Sequence, residues 1–570
     1  MLENFLNEYS YDGYEIFRIQ KEGKLLYLGS KYNMKREIEK IQNDIKETSN
    51  LISIVVFGAL NGCWLENLDE VTEGKIILIV EPNKLIFESM KNKKYNVTKN
   101  KIKLICMEDE EFYNNMLSAL KTSIVKTLIF SNYDFIYKNK LNSFREYVKR
   151  VAIDNKIREN TNNYFSKIWF ENYLKNISIL TEVNIINNYE NLYKGKPAII
   201  ISSGPSLDRN LKLLKGQEDK FIIIAVGRSL KAIEDQGIKV DFTAIIDGDK
   251  EMYNVFKQSL NSTVPMLFNE QSSSQIVEQY KGEKIFFSTR EFVDSDKEIL
   301  EVKPITLFQG GSVAHACIDF ARVLGCSTII FIGQDLAYTD DKTHANNSIC
   351  DFENNTFNTE TDLYVKGVKC DKVKTSMEFN VFRERIEMIV NLYDYIHFIN
   401  ATEGGAHIEG TTEKDLKDVL EEFNDKFEKY NEIEKKDVIL KEVIVSNLSE
   451  VYENLDELIS ACSKAKKISR DLINLYFSSN NKYNKAIDQL NNVDEKLKTS
   501  IKIKCLFETV IKAIHNELIN KFSDDEINLS MTEKIKLHSQ KSEFLYSELE
   551  KAFIYGKPLI KECINKLQEI

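Results

Sequence analysis

The residues with the clearest chemical potential in this 570-residue chain follow a short apolar run at 198–201. That run breaks into the sequence Ser-Ser-Gly-Pro-Ser at 202–206, and leucines then recur at helical spacing. This order predicts a buried strand, a tight turn and a helix N-terminus, which attracts anions because its first N–H groups lack partners. The glycine lets a ligand approach the backbone, and the proline suits the first helical turn. Unless the turn only changes the chain's direction, it is predicted to bind a phosphate-containing ligand, with Ser203, Gly204, Pro205 and Ser206 lining the site.

Two further polar turns follow predicted strands, where doubly wound sheets bind their ligands. Gly227 permits a close approach, and Arg228 can pair with a phosphate or a carboxylate. Asp247 and Asp249 can hold a divalent cation or accept hydrogen bonds from sugar or ribose hydroxyls. The alternative for Asp247 is that it caps the next helix.

A glycine pair and a serine, Gly310, Gly311 and Ser312, open a predicted helix that Gly325 ends. Backbone N–H groups and the serine hydroxyl can meet an anion there. The alternative is that the glycines only allow the helix to pack closely on a strand.

The loop after the predicted strand at 328–332 carries Gln334, Asp335, Tyr338 and His344. We predict that Gln334 also lines the ligand site at this edge of the sheet. A tyrosine hydroxyl and an imidazole in one loop can supply a proton donor and a base. A lone loop histidine is more often incidental, but its neighbours favour a site here.

The elements that would position these residues form an α/β protein. Continuous apolar strands indicate a parallel sheet with both faces covered, hence a doubly wound central domain at 196–410. The predicted central strands are 198–201, 221–226, 242–246, 284–287, 305–308 and 328–332. The flanking regions are an N-terminal Rossmann-like α/β domain at 1–150, a helical connector at 151–195 and a C-terminal helical bundle at 411–570, where no Gly or Pro occurs before residue 556.

The N-terminal region pairs a strand at 51–57 and a glycine turn at 58–62 with a second strand that ends at Glu81. This arrangement is typical of nucleotide-binding folds and would place a ribose on Glu81. Because the three-glycine spacing is absent, the pattern favours a structural domain.

The composition argues against several classes of partner and site. The net charge is −11, which argues against nucleic acid as the main partner. Nine scattered cysteines without a CxxC pair argue against a disulfide framework or zinc site. We find no secretory signal and no apolar run long enough to span a membrane, and therefore expect a cytoplasmic protein. The oligomeric state stays open.

Several segments together resemble the motility-associated factor (Maf) family, the flagellin glycosyltransferases of bacteria. The resemblance is carried by SSGPSL at 202–207, QGGSVAHACIDFARVLG at 309–325, GQDLAYTDDKTH at 333–344 and the run at 400–410. It covers the central region well, and the three-part layout also fits. The central region is also similar to bacterial sialyltransferases that share a Gly-Pro-Ser turn.

The resemblance implies transfer of a nonulosonic acid, a nine-carbon acidic sugar, from its CMP-activated form to a Ser or Thr of flagellin. In the sialyltransferases a loop tyrosine assists the departing phosphate and a later histidine acts as base, so Tyr338 and His344 are the nearest matches. We assign hydroxyl contacts to Asp247 and Asp335. Phosphate contacts are assigned to Gly204, Ser206, Gly311 and Ser312. The Gly227–Arg228 turn departs from the asparagines of those enzymes.

No metal cofactor is required, because a CMP-sugar carries a single phosphate, although Asp247 and Asp249 could hold Mg²⁺. Two alternatives remain. The central region also looks like archaeal pterin pyrophosphokinases, in which the two aspartates would hold magnesium. A non-enzymatic alternative is a chaperone that binds flagellin and keeps a relic nucleotide fold.

Overall fold

The computed structural model shows two compact units. It describes residues 5–21, 24–48, 52–91, 93, 95, 97–109, 112–120, 123–338, 363–430, 433–522 and 529–569. The first unit comprises Met1–Tyr164, Ala465–Asp488 and Lys512–Tyr546, and the second comprises Phe165–Lys464, Gln489–Ile511 and Ser547–Ile570. The sequence predicts a separate helical domain at 411–570, whereas the structure divides its helices between the two units.

The first unit contains a four-stranded parallel sheet and a small antiparallel sheet. The strands are β1 (Phe5–Tyr9), β2 (Glu15–Lys21), β3 (Lys24–Leu28), β4 (Ser53–Phe57), β5 (Ile76–Glu81), β6 (Lys101–Cys106) and β7 (Val125–Ile129). The parallel sheet has the order β6-β5-β4-β7, and β1-β2-β3 form the antiparallel sheet. In this order β5 and β6 lie on one side of β4, and β7 lies on the other side. Half of a Rossmann-like fold has this arrangement, as predicted. Its helices are α1 (Met34–Lys46), α2 (Leu68–Val71), α3 (Lys84–Lys91), α4 (Phe112–Ala119), α5 (Tyr133–Ile136) and the start of α6 (Lys138–Ile177).

Glu81, at the end of β5, is fully buried, and its side chain is hydrogen-bonded to other residues of the unit. Its carboxylate accepts hydrogen bonds from the N–H groups of Ala59 at 2.9 Å and Asn83 at 3.0 Å, and from the Tyr133 hydroxyl at 2.9 Å. Burial raises the pKa of Glu81 to about 7, and the three donors act in the opposite direction. The contacts favour the structural interpretation of this motif over ribose binding.

The glycine turn after β4 is filled by aromatic rings. A Cβ added at Gly58 would lie 2.5 Å from the ring of Tyr133, and one at Gly62 would lie 2.4 Å from the ring of Tyr95. Both glycines also have positive φ angles, of 99° and 80°. Here the glycines admit tyrosine side chains to the core.

The second unit is built on nine parallel strands in the order β18-β17-β14-β9-β10-β11-β12-β13-β8. Its strands are β8 (Asn184–Ile185), β9 (Pro197–Ile201), β10 (Ile222–Val226), β11 (Phe242–Ala244), β12 (Met266–Phe268), β13 (Lys284–Phe286), β14 (Thr328–Ile332), β17 (His397–Asn400) and β18 (Thr412–Glu413), with a separate hairpin of β15 (Leu363–Val365) and β16 (Val373–Thr375). The central strands β10 and β14 are buried at every position. This explains their continuous apolar sequences.

Helices cover both faces of this sheet, which confirms the predicted doubly wound class. They are α7 (Leu207–Leu214), α8 (Leu230–Asp235), α9 (Lys250–Phe256), α10 (Ser274–Gln279), α11 (Val293–Leu300), α12 (Val313–Val323), α13 (Met377–Leu392) and α14 (Leu416–Glu422). The remaining helices are α15 (Lys441–Ser478), α16 (Asn480–Thr499), α17 (Ile501–Leu506), α18 (Glu508–Lys521) and α19 (Met531–Glu569). In the described parts of the chain, none of the helices is both long enough and apolar enough to cross a bilayer.

The predicted strand at 305–308 is wrong, because only Thr306 makes a single bridge, to Ser288. The Phe308 N–H donates instead to the Asp319 carboxylate of α12 at 2.7 Å, and this turns the chain into that helix. The short strands β12 and β17 were not predicted. Three or four residues give too little pattern to separate a strand from a loop.

Candidate active site

The strand order places a topological switch point between β9 and β14. From β9 the chain steps to β10 through β13 on one side, and it then returns to β14 on the other side. Right-handed crossovers place α7 and α12 on opposite faces of the sheet, and both helices begin at its carboxyl edge. Ligands of doubly wound folds bind in the crevice at such a point.

The turns after β9 and β14 are bonded directly to each other. The Ser206 hydroxyl donates to Asp335 at 2.6 Å, and the Ser206 N–H donates to the same carboxylate at 3.1 Å. A Cβ added at Gly204 would lie 2.2 Å from Asp335 Oδ1 and 2.5 Å from the Gly333 carbonyl oxygen. Pro205 is buried, whereas Ser203 is half-buried. Two residues far apart in sequence therefore lie in one tight junction.

This junction changes three of the predicted roles. The donors of Ser206, predicted to contact a phosphate, are bonded to Asp335, and Gly204 lies against the same carboxylate. Asp335, predicted to contact a sugar hydroxyl, is only 2% exposed. At the N-terminus of α7 a carboxylate of the protein thus occupies the place predicted for an anionic ligand.

The 401–406 segment completes the junction from the other side. The Ala406 N–H donates to the Asp335 carbonyl oxygen at 2.7 Å, and a Cβ at Gly405 would lie 2.2 Å from that oxygen. Gln334 is also buried, because its side-chain oxygen accepts from the Ser202 hydroxyl and its N–H donates to Thr402 at 3.3 Å. We expect Gln334 to position the turn more than to touch a ligand.

Asp247 and Arg228 form the accessible polar part of the strand edge. Gly227 is buried against the Ala244 carbonyl oxygen, and Arg228 beside it is half-buried. Desolvation raises the pKa of Asp247, and the nearby Arg228 acts in the opposite direction. The Asp247 side chain is exposed, yet its surroundings remove enough hydration to raise its pKa. We infer that it lies on the wall of a recess that is open to solvent.

Asp249 has a structural contact of its own. It is the N-cap of α9 and accepts from the Glu251 N–H at 3.1 Å. The sequence suggests helix capping as the alternative role of Asp247. In the structure the capping residue is Asp249, two residues later. Among the described residues, no three His, Cys, Asp or Glu side chains are grouped to hold a metal ion. Magnesium at Asp247 and Asp249 stays a prediction.

The glycine turn at the start of α12 is held by a buried histidine. Ser312 caps the helix, and its N–H donates to His315 Nδ1 at 3.2 Å. The other ring nitrogen lies 3.0 Å from the Phe382 carbonyl oxygen, which can only accept, so Nε2 carries the proton. Burial lowers the pKa of His315 to about 4, and the ring is therefore neutral near pH 7.

Helix α13 joins this turn to the β14 loop. Arg385 donates to the Gly310 carbonyl oxygen, and a Cβ at Gly311 would lie 3.1 Å from its guanidinium. One and a half turns earlier on α13, the ring of Phe379 lies 5.8 Å from that of Tyr338. Nothing in the sequence singles out α13, because its charged residues look like an ordinary solvated face.

Contacts thus link several of the predicted site residues, either directly or through α13. His344 lies outside the described residues, so its role as base stays a prediction. The Ser229 hydroxyl links the Arg228 turn to the Ile201 carbonyl oxygen at the end of β9, at 3.0 Å. A cavity of about 930 Å³ between α15 and α19 is lined by none of the strand-end residues.

Two buried carboxyl groups lie beyond β12 and β13, and sequence reasoning missed both. Asp296 accepts from the hydroxyls of Tyr173 and Ser288, each at 2.7 Å. Glu270 accepts from the Thr289 N–H at 2.9 Å. Its other oxygen has no partner within hydrogen-bond distance in the described part of the chain, so it interacts with Asp296 electrostatically. Burial raises the pKa of both groups, and the neighbouring Asp296 raises that of Glu270 further. Glu270 and the hydroxyls of Ser288 and Tyr173 lower the pKa of Asp296.

We expect this pair to make stability fall as pH rises. The folded chain holds a proton on Glu270 that the unfolded chain releases above its ordinary pKa of 4.5. Glu270→Gln imitates the protonated form, so its melting temperature should decline less than that of the wild type between pH 5 and pH 8. Asp296→Asn, which leaves an acceptor oxygen for only one of the two hydroxyls, should lower the melting temperature throughout. Parallel pH profiles of Glu270→Gln and the wild type would contradict the protonation of Glu270 in the folded chain.

Comparison with known proteins supports the predicted fold. A family model described as "6-hydroxymethylpterin diphosphokinase MptE-like" matches residues 171–341. The fold is similar to a solved structure described as the Maf glycosyltransferase from Magnetospirillum magneticum AMB-1. The TM-score is 0.56 at 11% identity, over 100% of this chain and 93% of that chain. No curated protein matches the sequence. The resemblance to the Maf architecture is confirmed as a likeness of fold.

Proposed function

We propose that this protein is a glycosyltransferase that moves a nonulosonic acid from a CMP-activated donor to Ser or Thr hydroxyls of flagellin. The observation that carries the proposal is the whole-length likeness to a Maf glycosyltransferase fold. The strand-end loops of the second unit lie at a topological switch point, where doubly wound folds bind their ligands.

The reaction transfers one glycosyl group. The acceptor hydroxyl oxygen bonds to the anomeric carbon while the bond from that carbon to the phosphate oxygen breaks. The hydroxyl proton passes to a base, and CMP leaves with the bonding electrons. The protein must therefore stabilise the leaving phosphate, bind the sugar carboxylate and accept a proton.

We assign these tasks to the predicted site residues as follows. Arg228 is suited to the sugar carboxylate, because a guanidinium pairs with carboxylates in a bidentate manner. Asp247 beside it can accept a hydrogen bond from a sugar or ribose hydroxyl. Tyr338 remains the candidate donor to the leaving phosphate, and the base is assigned to His344.

The test is incubation of purified protein with flagellin and a CMP-nonulosonic acid, followed by intact-mass measurement. We expect a mass gain equal to one or more sugar residues. Asp247→Asn should lower kcat/KM by about 10- to 100-fold, since a hydrogen bond to a charged group is lost. Asp249→Asn is the matched control, and it should retain most of the activity. No mass gain with a donor of proven quality would overturn the proposal.

A second candidate is a diphosphotransferase that uses ATP, and the family match at 171–341 favours it. That range includes the strand-end residues from Ser202 to Tyr338. Asp247 and Asp249 would then hold Mg²⁺, with Asp249 using the oxygen that does not cap α9. Nucleotide preference separates the two functions. CMP should raise the melting temperature of a glycosyltransferase, and Mg-ATP that of a diphosphotransferase.

A further inference from the structure

The N-terminus of α7 is poorly suited to the phosphate that the proposed function requires. Asp335 lies there, bonded to both the hydroxyl and the N–H of Ser206. A phosphate brought to the same donors would meet a carboxylate at close range, and like charges in a site of low dielectric repel strongly. The positive end of the α7 dipole is already matched by an internal anion. The phosphate therefore requires positive charge elsewhere along the strand edge.

The turn at Gly310–Ser312 has such a charge beside it. Arg385 is fixed there by its hydrogen bond to the Gly310 carbonyl oxygen. Gly311, with a φ angle of 86°, is exposed, and a Cβ on it would lie 3.1 Å from the guanidinium. The neutral ring of His315 supplies no charge. A guanidinium beside exposed glycine backbone can bind phosphate oxygens at close range.

Arg385 is also held in place by the helix that supports Tyr338. Phe379 contacts the Tyr338 ring, and Phe382 contacts both His315 and the space next to Gly311. These two phenylalanines and Arg385 follow one another at intervals of three residues, so they share one face of α13. The same face therefore carries the arginine and supports the tyrosine assigned to the leaving group.

From this arrangement we propose that Arg385 binds the phosphate of the donor nucleotide at the Gly310–Ser312 turn. The inference rests on the proposed function for the identity of the nucleotide, CMP. Arg385 would make a phosphorylated nucleoside bind more tightly than the free nucleoside. It would also stabilise the negative charge that grows on the phosphate as the sugar bond breaks.

The test compares the affinity of CMP with that of cytidine by calorimetry. Arg385→Gln keeps an N–H donor for the Gly310 carbonyl oxygen but removes the charge. We expect it to weaken CMP binding by about 10- to 100-fold, the range for a lost charged hydrogen bond, and to leave cytidine binding unchanged. Arg385→Lys keeps a charge but loses the planar fork, and it should give an intermediate loss.

Arg383→Gln is the matched control, since Arg383 is on the same helix and its guanidinium pairs with Glu387 and Asn380. It should bind CMP like the wild type. Equal CMP affinity of Arg385→Gln and the wild type would overturn this inference and leave the proposed function standing. Failure of the wild type to bind CMP would instead count against the proposed function. The same comparison with Mg-ATP and adenosine would then test Arg385 as a phosphate ligand, and no loss for Arg385→Gln there would also overturn it.

Discussion

Replacing Asp335 with alanine is expected to destabilise the second unit by about 3–5 kcal/mol, the cost of leaving buried partners of a charged group unpaired. The Ser206 hydroxyl and N–H would both lose their acceptor in a site that water does not reach. The Ser206 hydroxyl can rotate toward another acceptor, but the N–H cannot. The measurement is the melting temperature together with hydrogen exchange of the amides in β9 and β14, which report local opening.

Two further variants separate a structural role of Asp335 from contact with a sugar. Asp335→Asn keeps the size of the side chain and one acceptor oxygen, so it should cost less, about 1–2 kcal/mol. Ser206→Ala removes one hydroxyl of the same junction, and its effect should not add to that of Asp335→Ala, because the two residues contact each other. If Asp335→Asn kept the wild-type stability but lost activity, direct contact with the sugar would be the better explanation.

Much of the fold could be predicted because buried parallel strands have a strong sequence signal. The strands β9, β10 and β14 lie within one residue of their predicted bounds, since every residue in them is buried or nearly so. The helix from Val313 to the Gly325 turn was also correctly predicted. The three-residue strand β12 was missed, whereas β11 and β13, which are equally short, were predicted within longer runs at 242–246 and 284–287.

The site was predictable in its parts but not in its pairings. The Gly-Pro-Ser turn and the Gln-Asp loop were both identified as polar turns at strand ends. Nothing in the sequence indicated that Asp335 would satisfy Ser206, because 129 positions separate them. Arg385 and Glu270 were missed for a related reason. One looks like an exposed helix residue and the other like an ordinary loop acid, and only the tertiary contacts distinguish them.

The second prediction with a large expected effect on stability concerns Glu81 in the first unit. Glu81→Ala should destabilise this unit by about 3–5 kcal/mol, because two backbone N–H groups and the Tyr133 hydroxyl would lose a buried acceptor. If the role of Glu81 were instead to bind a ribose, its carboxyl group would be buried without partners when no ligand is present. Its removal would then change the free energy of unfolding little. Hydrogen exchange of the amides in β4 and β5 measures the loss, and CMP affinity should stay unchanged. Glu88→Ala is the control, since its ion pair with Lys91 is exposed and long, at 3.9 Å.

The effect of Glu81→Ala should also depend on pH. The pKa of Glu81 is raised from 4.5 to about 7, so the folded chain keeps a proton there that the unfolded chain loses. The wild type therefore loses stability through this group as pH rises from about 4.5 to about 7, by about 3 kcal/mol at most. Glu81→Ala cannot lose that contribution, and the gap between the variant and the wild type should narrow from pH 5 to pH 8. A gap that stayed constant or widened with pH would mean that Glu81 is ionised throughout, with its three donors outweighing the cost of burial.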